Sequence, residues 1–178
     1  MALAFGLTKG RTVERFSSLY TLLPLGLFAY FLNQTFTVLS GESLHFDYPW
    51  IPSFGVNLSF HLDGLALLFL LLITGIGTLV FAYTNSYMHG DKKLHRFYAY
   101  LTVFMGAMIG LVSADNLVTL FIFWEMTSIS SFLLIGYKNN DAASRKSAIT
   151  ALAVTGLGGL FLLGFAIYAS VLFGSLSI

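Results

Sequence analysis

The sequence contains no cysteine and carries little charge. Asp, Glu, Lys and Arg make up only 10% of the 178 residues, whereas a soluble domain is normally about a quarter charged. The absence of cysteine excludes a disulfide framework, a thiolate metal site and a cysteine nucleophile. Nine Lys and Arg against eight Asp and Glu give a formal net charge of +1, which argues against a nucleic-acid-binding protein. Because 57% of the residues are hydrophobic, the composition indicates an integral membrane protein.

Charge-free intervals in the sequence define the predicted membrane spans. Four long intervals contain no charged residue, and a fifth is interrupted only by Glu125. Because a bilayer core takes roughly 20 apolar residues as a helix, each interval holds one span. The sequence therefore predicts an all-α integral membrane fold with five transmembrane helices after a segment at residues 1–15. The spans are predicted near residues 16–39, 64–88, 97–114, 116–137 and 147–173.

All nine basic residues fall on alternate connections between these spans. Three precede the first span, three separate the second from the third, and three separate the fourth from the fifth. The positive-inside rule then predicts a cytoplasmic N-terminus and an outward C-terminus in a cell membrane. The long outer connection at residues 42–62 contains aromatic residues and prolines, which are typical of an interfacial cap. The basic residues are Lys9, Arg11, Arg15, Lys92, Lys93, Arg96, Lys138, Arg145 and Lys146.

Glu125 is a carboxylate near the middle of the fourth predicted span. An ionised and unpaired carboxylate at that depth costs several kcal/mol, so it must be protonated, paired with a cation or hydrated. Each solution describes a group that can exchange a proton within the membrane. Hydroxyl groups follow within two turns and are candidates for a hydration path, although small residues of this kind also serve helix packing. They belong to Thr127, Ser128, Ser130 and Ser131.

Weaker candidates lie at the span ends. Asp63 and Asp115 are either ordinary boundary residues or part of an ion route or an assembly contact. The four histidines are scattered at no ligand-like spacing, so no metal site is predicted. No nucleotide-binding loop or catalytic triad is present, and no cofactor is expected. The glycines of the third and fifth spans are predicted to allow close helix packing.

Residues 61–137 resemble the antiporter-like membrane subunits shared by Mrp-type cation/proton antiporters and respiratory complex I. The resemblance is carried by LDGLALLFLLLITGIGTLVFAY, by FMGAMIGLVSADNL and above all by LFIFWEMTSISSFLLIGY, which contains Glu125. It continues through KSAITALAVTGLGGLFLLG in the fifth span. In this family the Glu of the FWE run is the essential carboxylate of a proton pathway. The resemblance therefore implies proton transfer by Glu125.

Within the family, the chain resembles the A subunit of Mrp antiporters. The complex I relative usually carries an Arg and an Asp where this chain has Gly156 and Gly159. The resemblance implies a secondary transporter subunit rather than an enzyme, with other antiporter subunits, membrane lipid, H+ and a monovalent cation, expected to be Na+, as partners. The family's next helix, which bears a Lys that pairs with the Glu, has no counterpart here. The chain is therefore expected either to be an N-terminal part of a longer subunit or to be completed by a partner polypeptide, and not to transport alone. A complex I or hydrogenase membrane subunit, or a non-transporting scaffold, is the alternative.

Overall fold

The computed structural model describes residues 2–51, 56–88, 91 and 93–173, with side chains from residue 20 onward except at positions 51, 56 and 85. Within these residues five helices are long and apolar enough to cross a membrane, which confirms the predicted number of transmembrane helices. The side chains of Lys9, Arg11, Arg15, His89 and Lys92, about which the sequence analysis made predictions, lie outside the described part. The helices are α1 (Ala2–Leu39), α2 (Gly64–Tyr87), α3 (Leu94–Val112), α4 (Leu117–Ile135) and α5 (Ala142–Phe173).

The helices pack mainly on their neighbours in sequence. α1 lies against α2, and α4 lies between α3 and α5. One buried cluster centres on Leu70 of α2 and Phe31 of α1, and a second joins Phe81 of α2 to Tyr98 of α3. Large apolar side chains such as Phe161 remain exposed along the outer faces of the helices. That distribution suits helices whose outer faces contact lipid.

The connection between α1 and α2 is a β-hairpin. Strand β1 (Leu44–Ile51) pairs antiparallel with β2 (Val56–Leu62), in a register that places His45 opposite His61. Polar residues occupy every second position of β2 in the sequence VNLSFHL, which is typical of a strand with one face towards water. Among the described residues, the two strands of the fold thus lie in the connection that was predicted as an interfacial cap.

The hairpin is fixed to the turn between α3 and α4. The backbone N–H of His61 donates to the carbonyl of Ser113 at 2.8 Å, and the N–H of Asp115 donates to the carbonyl of Ser59 at 2.9 Å. These bonds flank a β-bridge between Phe60 and Ala114, so the turn continues the sheet beyond β2. The end of the bundle that carries this arrangement is called the hairpin end below.

Two aspartates organise the opposite end of the bundle. Asp91 accepts a hydrogen bond from the backbone N–H of Lys93 at 2.7 Å and another from the hydroxyl of Tyr137 at 3.0 Å. The α2–α3 connection is thereby tied to the residues that follow α4. Asp141 accepts from the N–H of Ser144 at 3.0 Å and from its hydroxyl at 2.8 Å, at the start of α5. These bonds lower the pKa of the Asp141 carboxyl, because they favour the ionised form.

Candidate functional site

Glu125 lies near the middle of α4, the 19-residue helix between Leu117 and Ile135. At a rise of 1.5 Å per residue, the carboxylate-bearing residue is about 12 Å from one end of the helix and about 15 Å from the other. Ordinary polar residues at a membrane helix end reach water easily, but a residue at this depth does not. The structure therefore places Glu125 where the sequence predicted it, in the central part of a span.

The carboxyl group of Glu125 lies against α5 at Gly159, with one of its two oxygens buried. Its Oε1 atom is inaccessible to solvent and has no hydrogen-bond partner among the described residues. A Cβ atom added at Gly159 would overlap this oxygen, so a larger residue here would displace the carboxyl group from its present position. A buried polar atom without a partner costs about 1–3 kcal/mol, and more if the group is charged. The site therefore leaves this oxygen available to a further polar partner.

Trp124 holds the same part of α4 against α5. Its indole Nε1–H points at the backbone carbonyl of Thr155 at 3.4 Å. Its ring lies near Gly158, where an added Cβ would be 3.8 Å from Cζ2, and near Gly159, where an added Cβ would be 3.4 Å from Cδ1. The predicted close packing at the glycines of the fifth span is thus seen at two of them. Glu125 and Trp124 together fill the space that these glycines leave.

The four hydroxyl residues after Glu125 bond to their own helix. Thr127 donates to the carbonyl of Trp124 at 2.7 Å, and Ser128 donates to the same carbonyl at 3.2 Å. Ser130 donates to Met126 at 2.6 Å, and Ser131 donates to Ser128 at 3.0 Å. Each hydroxyl oxygen keeps the capacity to accept a bond. In the described residues none of these side chains bonds to Glu125, so the hydration path stays a prediction.

No basic side chain that the structure describes forms an ion pair with Glu125. Arg96 lies in the first turn of α3 and donates to the hydroxyl of Tyr100 at 2.8 Å. Arg145 lies near the start of α5 and donates to the carbonyl of Asn139 at 2.6 Å. Both cations are at the end of the bundle opposite the hairpin, far from the middle of α4. A cation that pairs with Glu125 must therefore come from outside the described residues.

The two aspartates predicted as weaker candidates have different surroundings. Asp63 is the N-cap of α2 and accepts a hydrogen bond from the backbone N–H of Ala66 at 2.7 Å. That is the ordinary role of an aspartate at a helix start. Asp115 lies in the α3–α4 turn beside the hairpin, where it faces two histidines. The structure does not bring the two aspartates together.

His45, His61 and Asp115 form a cluster that the sequence analysis missed. The rings of the two histidines stack with centroids 3.9 Å apart. Nδ1 of His45 lies 3.4 Å from Oδ2 of Asp115, and Nδ1 of His61 lies 3.9 Å from Oδ1. The Nε2 atom of His61 is buried and has no partner among the described residues. A turn-favouring stretch with Pro52 and Gly55 midway between the histidines was the signal that could have paired them.

Two family models match adjoining parts of the chain. The model described as NADH-ubiquinone oxidoreductase (complex I), chain 5 N-terminus, matches residues 50–98. The model described as NADH:quinone oxidoreductase/Mrp antiporter, TM, matches residues 114–178 and includes Glu125. Together they cover most of the chain.

Similar proteins and structures point to the same family. The Na(+)/H(+) antiporter subunit A1 of Staphylococcus haemolyticus is 47% identical over 156 residues, which are 88% of this chain and 19% of that protein. The subunit A1 of Staphylococcus aureus is 45% identical over 88% of this chain and 20% of that protein. The structure of the Mrp complex from Dietzia sp. contains a chain that superposes with a TM-score of 0.78 and 31% identity, over 99% of this chain and 20% of that one.

A second solved structure shares the fold at lower identity. A chain of the membrane-bound sulfane sulfur reductase, an archaeal respiratory membrane complex, superposes with a TM-score of 0.75 and 20% identity, over 98% of this chain and 37% of that one. The protein belongs to the family of antiporter-like membrane subunits that Mrp antiporters share with respiratory complex I. It is a multi-pass membrane protein, and it spans about a fifth of the length of the antiporter subunits that it matches.

Proposed function

We propose that this chain contributes Glu125 to proton translocation in a multisubunit monovalent cation/proton antiporter of the cell membrane. The observation that carries the proposal is the buried Oε1 atom of Glu125, which has no partner among the described residues at mid-helix depth. Matching proteins are named as Na(+)/H(+) antiporter subunits, which supports Na+ as the exchanged cation and other subunits as partners.

The chemistry of the proposal is an exchange between two states of the carboxyl group. When a cation lies nearby, the ionised form of Glu125 is favoured and the proton leaves. When the cation moves away, burial penalises the ionised form and the carboxyl group takes up a proton. A membrane potential supplies about 2.3 kcal/mol per elementary charge for each 100 mV. We infer that the cation is a side chain outside the described residues, so that these residues alone do not transport.

A membrane subunit of a respiratory complex is the second candidate. It is favoured by the match of residues 50–98 to the complex I family model. The fifth span opposes it. Where the complex I relatives usually carry a charged side chain, this chain has Gly159, and a side chain there would overlap the carboxyl group of Glu125 in this structure. A non-transporting scaffold, in which Glu125 only joins α4 to α5, is the third possibility that an experiment must separate.

The decisive experiment replaces Glu125 by Gln in the complete subunit within its assembled complex. The amide keeps the size and hydrogen bonding of the side chain but does not ionise. If Glu125 carries protons, the Glu125→Gln variant should assemble normally and lose cation-dependent proton flux in proteoliposomes. The matched control is Glu42→Gln, which makes the same change at an exposed residue of the hairpin end. Wild-type flux in an assembled Glu125→Gln complex would reject the proposal and leave the scaffold role.

A further inference from the structure

We propose that His45, His61 and Asp115 bind one divalent transition-metal ion, with Zn2+ as the best-suited ion, at the hairpin end of the bundle. The proposal depends only on the geometry of the hairpin and the α3–α4 turn. It does not depend on the role of Glu125.

The donor atoms are of the type that Zn2+ prefers. One ligand atom from each of the three residues can be chosen so that all lie within 4.8 Å of one another. Zn2+ binds His nitrogen and carboxylate oxygen at about 2.0–2.2 Å, so two ligands of one tetrahedral ion lie about 3.3 Å apart. The Nδ1 to Oδ2 distance of 3.4 Å between His45 and Asp115 already fits. His61 faces the other carboxylate oxygen, Oδ1, at 3.9 Å, and the two rings are stacked face to face. Binding one ion therefore requires the Asp115 carboxylate and at least one histidine ring to rotate until their donor atoms converge.

Three separate segments of backbone hold the ligands in place. The antiparallel register sets His45 directly opposite His61. The bond from the N–H of Asp115 to the carbonyl of Ser59 sets the aspartate beside β2. Ligands on hydrogen-bonded strands are more precisely placed than ligands on free loops. A bound ion would therefore cross-link the hairpin to the α3–α4 turn.

The site is open on one side. The side chains of His45, His61 and Asp115 are 51%, 31% and 27% exposed, respectively, so an ion can enter from solvent. Three protein ligands leave a fourth position of a tetrahedral ion for water. The Nε2 atom of His45 lies 3.4 Å from the hydroxyl of Ser43, which is the type of outer partner that orients a metal-binding histidine. The alternative is a plain ion pair between protonated histidine and Asp115.

Metal binding to the purified subunit tests the proposal directly. The protein should carry an affinity tag without histidine and be titrated with Co2+, whose visible absorption reports tetrahedral coordination, and then with Zn2+ as competitor. We expect one Co2+ per chain, displaced by Zn2+ and not by Mg2+, because Mg2+ prefers oxygen ligands. His45→Ala and Asp115→Asn should each weaken binding by more than the about 10- to 100-fold that loss of an outer partner costs.

A matched control separates this site from other histidines. His95 is exposed in the first turn of α3, at the opposite end of the bundle, and His95→Ala should leave the affinity unchanged. Thermal unfolding of each variant without metal shows whether it is folded, and Zn2+ should raise the melting temperature of the wild type but not of Asp115→Asn. The proposal is wrong if no tetrahedral Co2+ spectrum appears in the wild type. It is equally wrong if His45→Ala and Asp115→Asn are both folded and bind Co2+ as tightly as the wild type.

Discussion

Gly159 of α5 is the residue that the carboxyl group of Glu125 contacts with its buried Oε1 atom. Because Gly159 has no side chain, the extended side chain of Glu125 can reach the backbone of α5, and this contact joins α4 to α5. Stability and the placement of the carboxyl group therefore depend on the same contact.

The first prediction follows from this pair. Gly159→Ala should force the Glu125 carboxyl group away from α5 and lower the free energy of unfolding by up to about 1 kcal/mol, the low end of overpacking, because the overlapping atoms are the end of a flexible side chain. Gly156→Ala is the control, because an added Cβ there meets no atom within 4 Å. Thermal unfolding in detergent should show a lower melting temperature for the first variant only. The double variant Gly159→Ala/Glu125→Ala should recover stability, since the overlapping atoms are gone, and a purely additive result would contradict the contact.

The second prediction concerns the paired glycines of α3. A Cβ added at Gly110 would overlap the ring of Phe123 in α4, whereas an added Cβ at Gly106 meets nothing within 4 Å. Because the partly buried ring of Phe123 also packs edge-on against Phe60, it moves aside less easily than a flexible chain end, and Gly110→Ala should cost about 1–3 kcal/mol. Gly106→Ala should leave the stability of the isolated chain unchanged. Equal melting temperatures for the two variants would show that α3 and α4 do not pack as described.

The third prediction uses the pH dependence of Tyr137. Burial and the hydrogen bond to Asp91 raise the pKa of its hydroxyl to about 12, above the ordinary value of 10.0. A raised pKa stabilises the folded state fully below the unfolded value, and this contribution is lost as the pH rises towards the folded value. The stability advantage of the wild type over Tyr137→Phe should therefore shrink between about pH 10 and pH 12. Tyr87→Phe, at an exposed tyrosine, serves as the control. A constant difference would contradict the bond.

The fourth prediction tests the orientation that the basic residues indicate. The chain has no cysteine of its own, so single cysteines report their side without background. A cysteine at Asp47, exposed in β1, should react with an impermeant reagent added to intact cells. A cysteine at Asn139, exposed between α4 and α5, should react only after the membrane is opened. The reverse pattern would place the hairpin in the cytoplasm.

The transmembrane helices could be predicted from the sequence because charge is excluded from a bilayer core by a large free energy. The same energy made Glu125 recognisable as an exception in the fourth span. Its contact with Gly159 could not be predicted, because the rotation of α5 about its axis depends on tertiary packing. The FWE run located the site through the resemblance, and the structure adds its surroundings.

The cluster of His45, His61 and Asp115 could not be predicted from the sequence, for a different reason. His45 and His61 could be paired only by recognising a hairpin in the connection at residues 42–62, which also contains prolines, and prolines are unfavourable within strands. Asp115 lies 54 positions after His61 in the numbering, and no local pattern links the two. The cluster exists because backbone bonds join β2 to the α3–α4 turn, and such contacts are set by the completed bundle.

The attachment of the hairpin also constrains the order of events during synthesis. β1 and β2 are neighbours along the chain and can pair early. The backbone groups of Asn57 and Ser59 in β2 bond to the side chains of Asn116 and Thr119, which are synthesised 59 and 60 residues later. Until then the outer edge of β2 presents unpaired backbone groups, which is the kind of edge that recruits foreign strands. The time that α3 needs to emerge and insert therefore sets how long the nascent protein is open to mispairing.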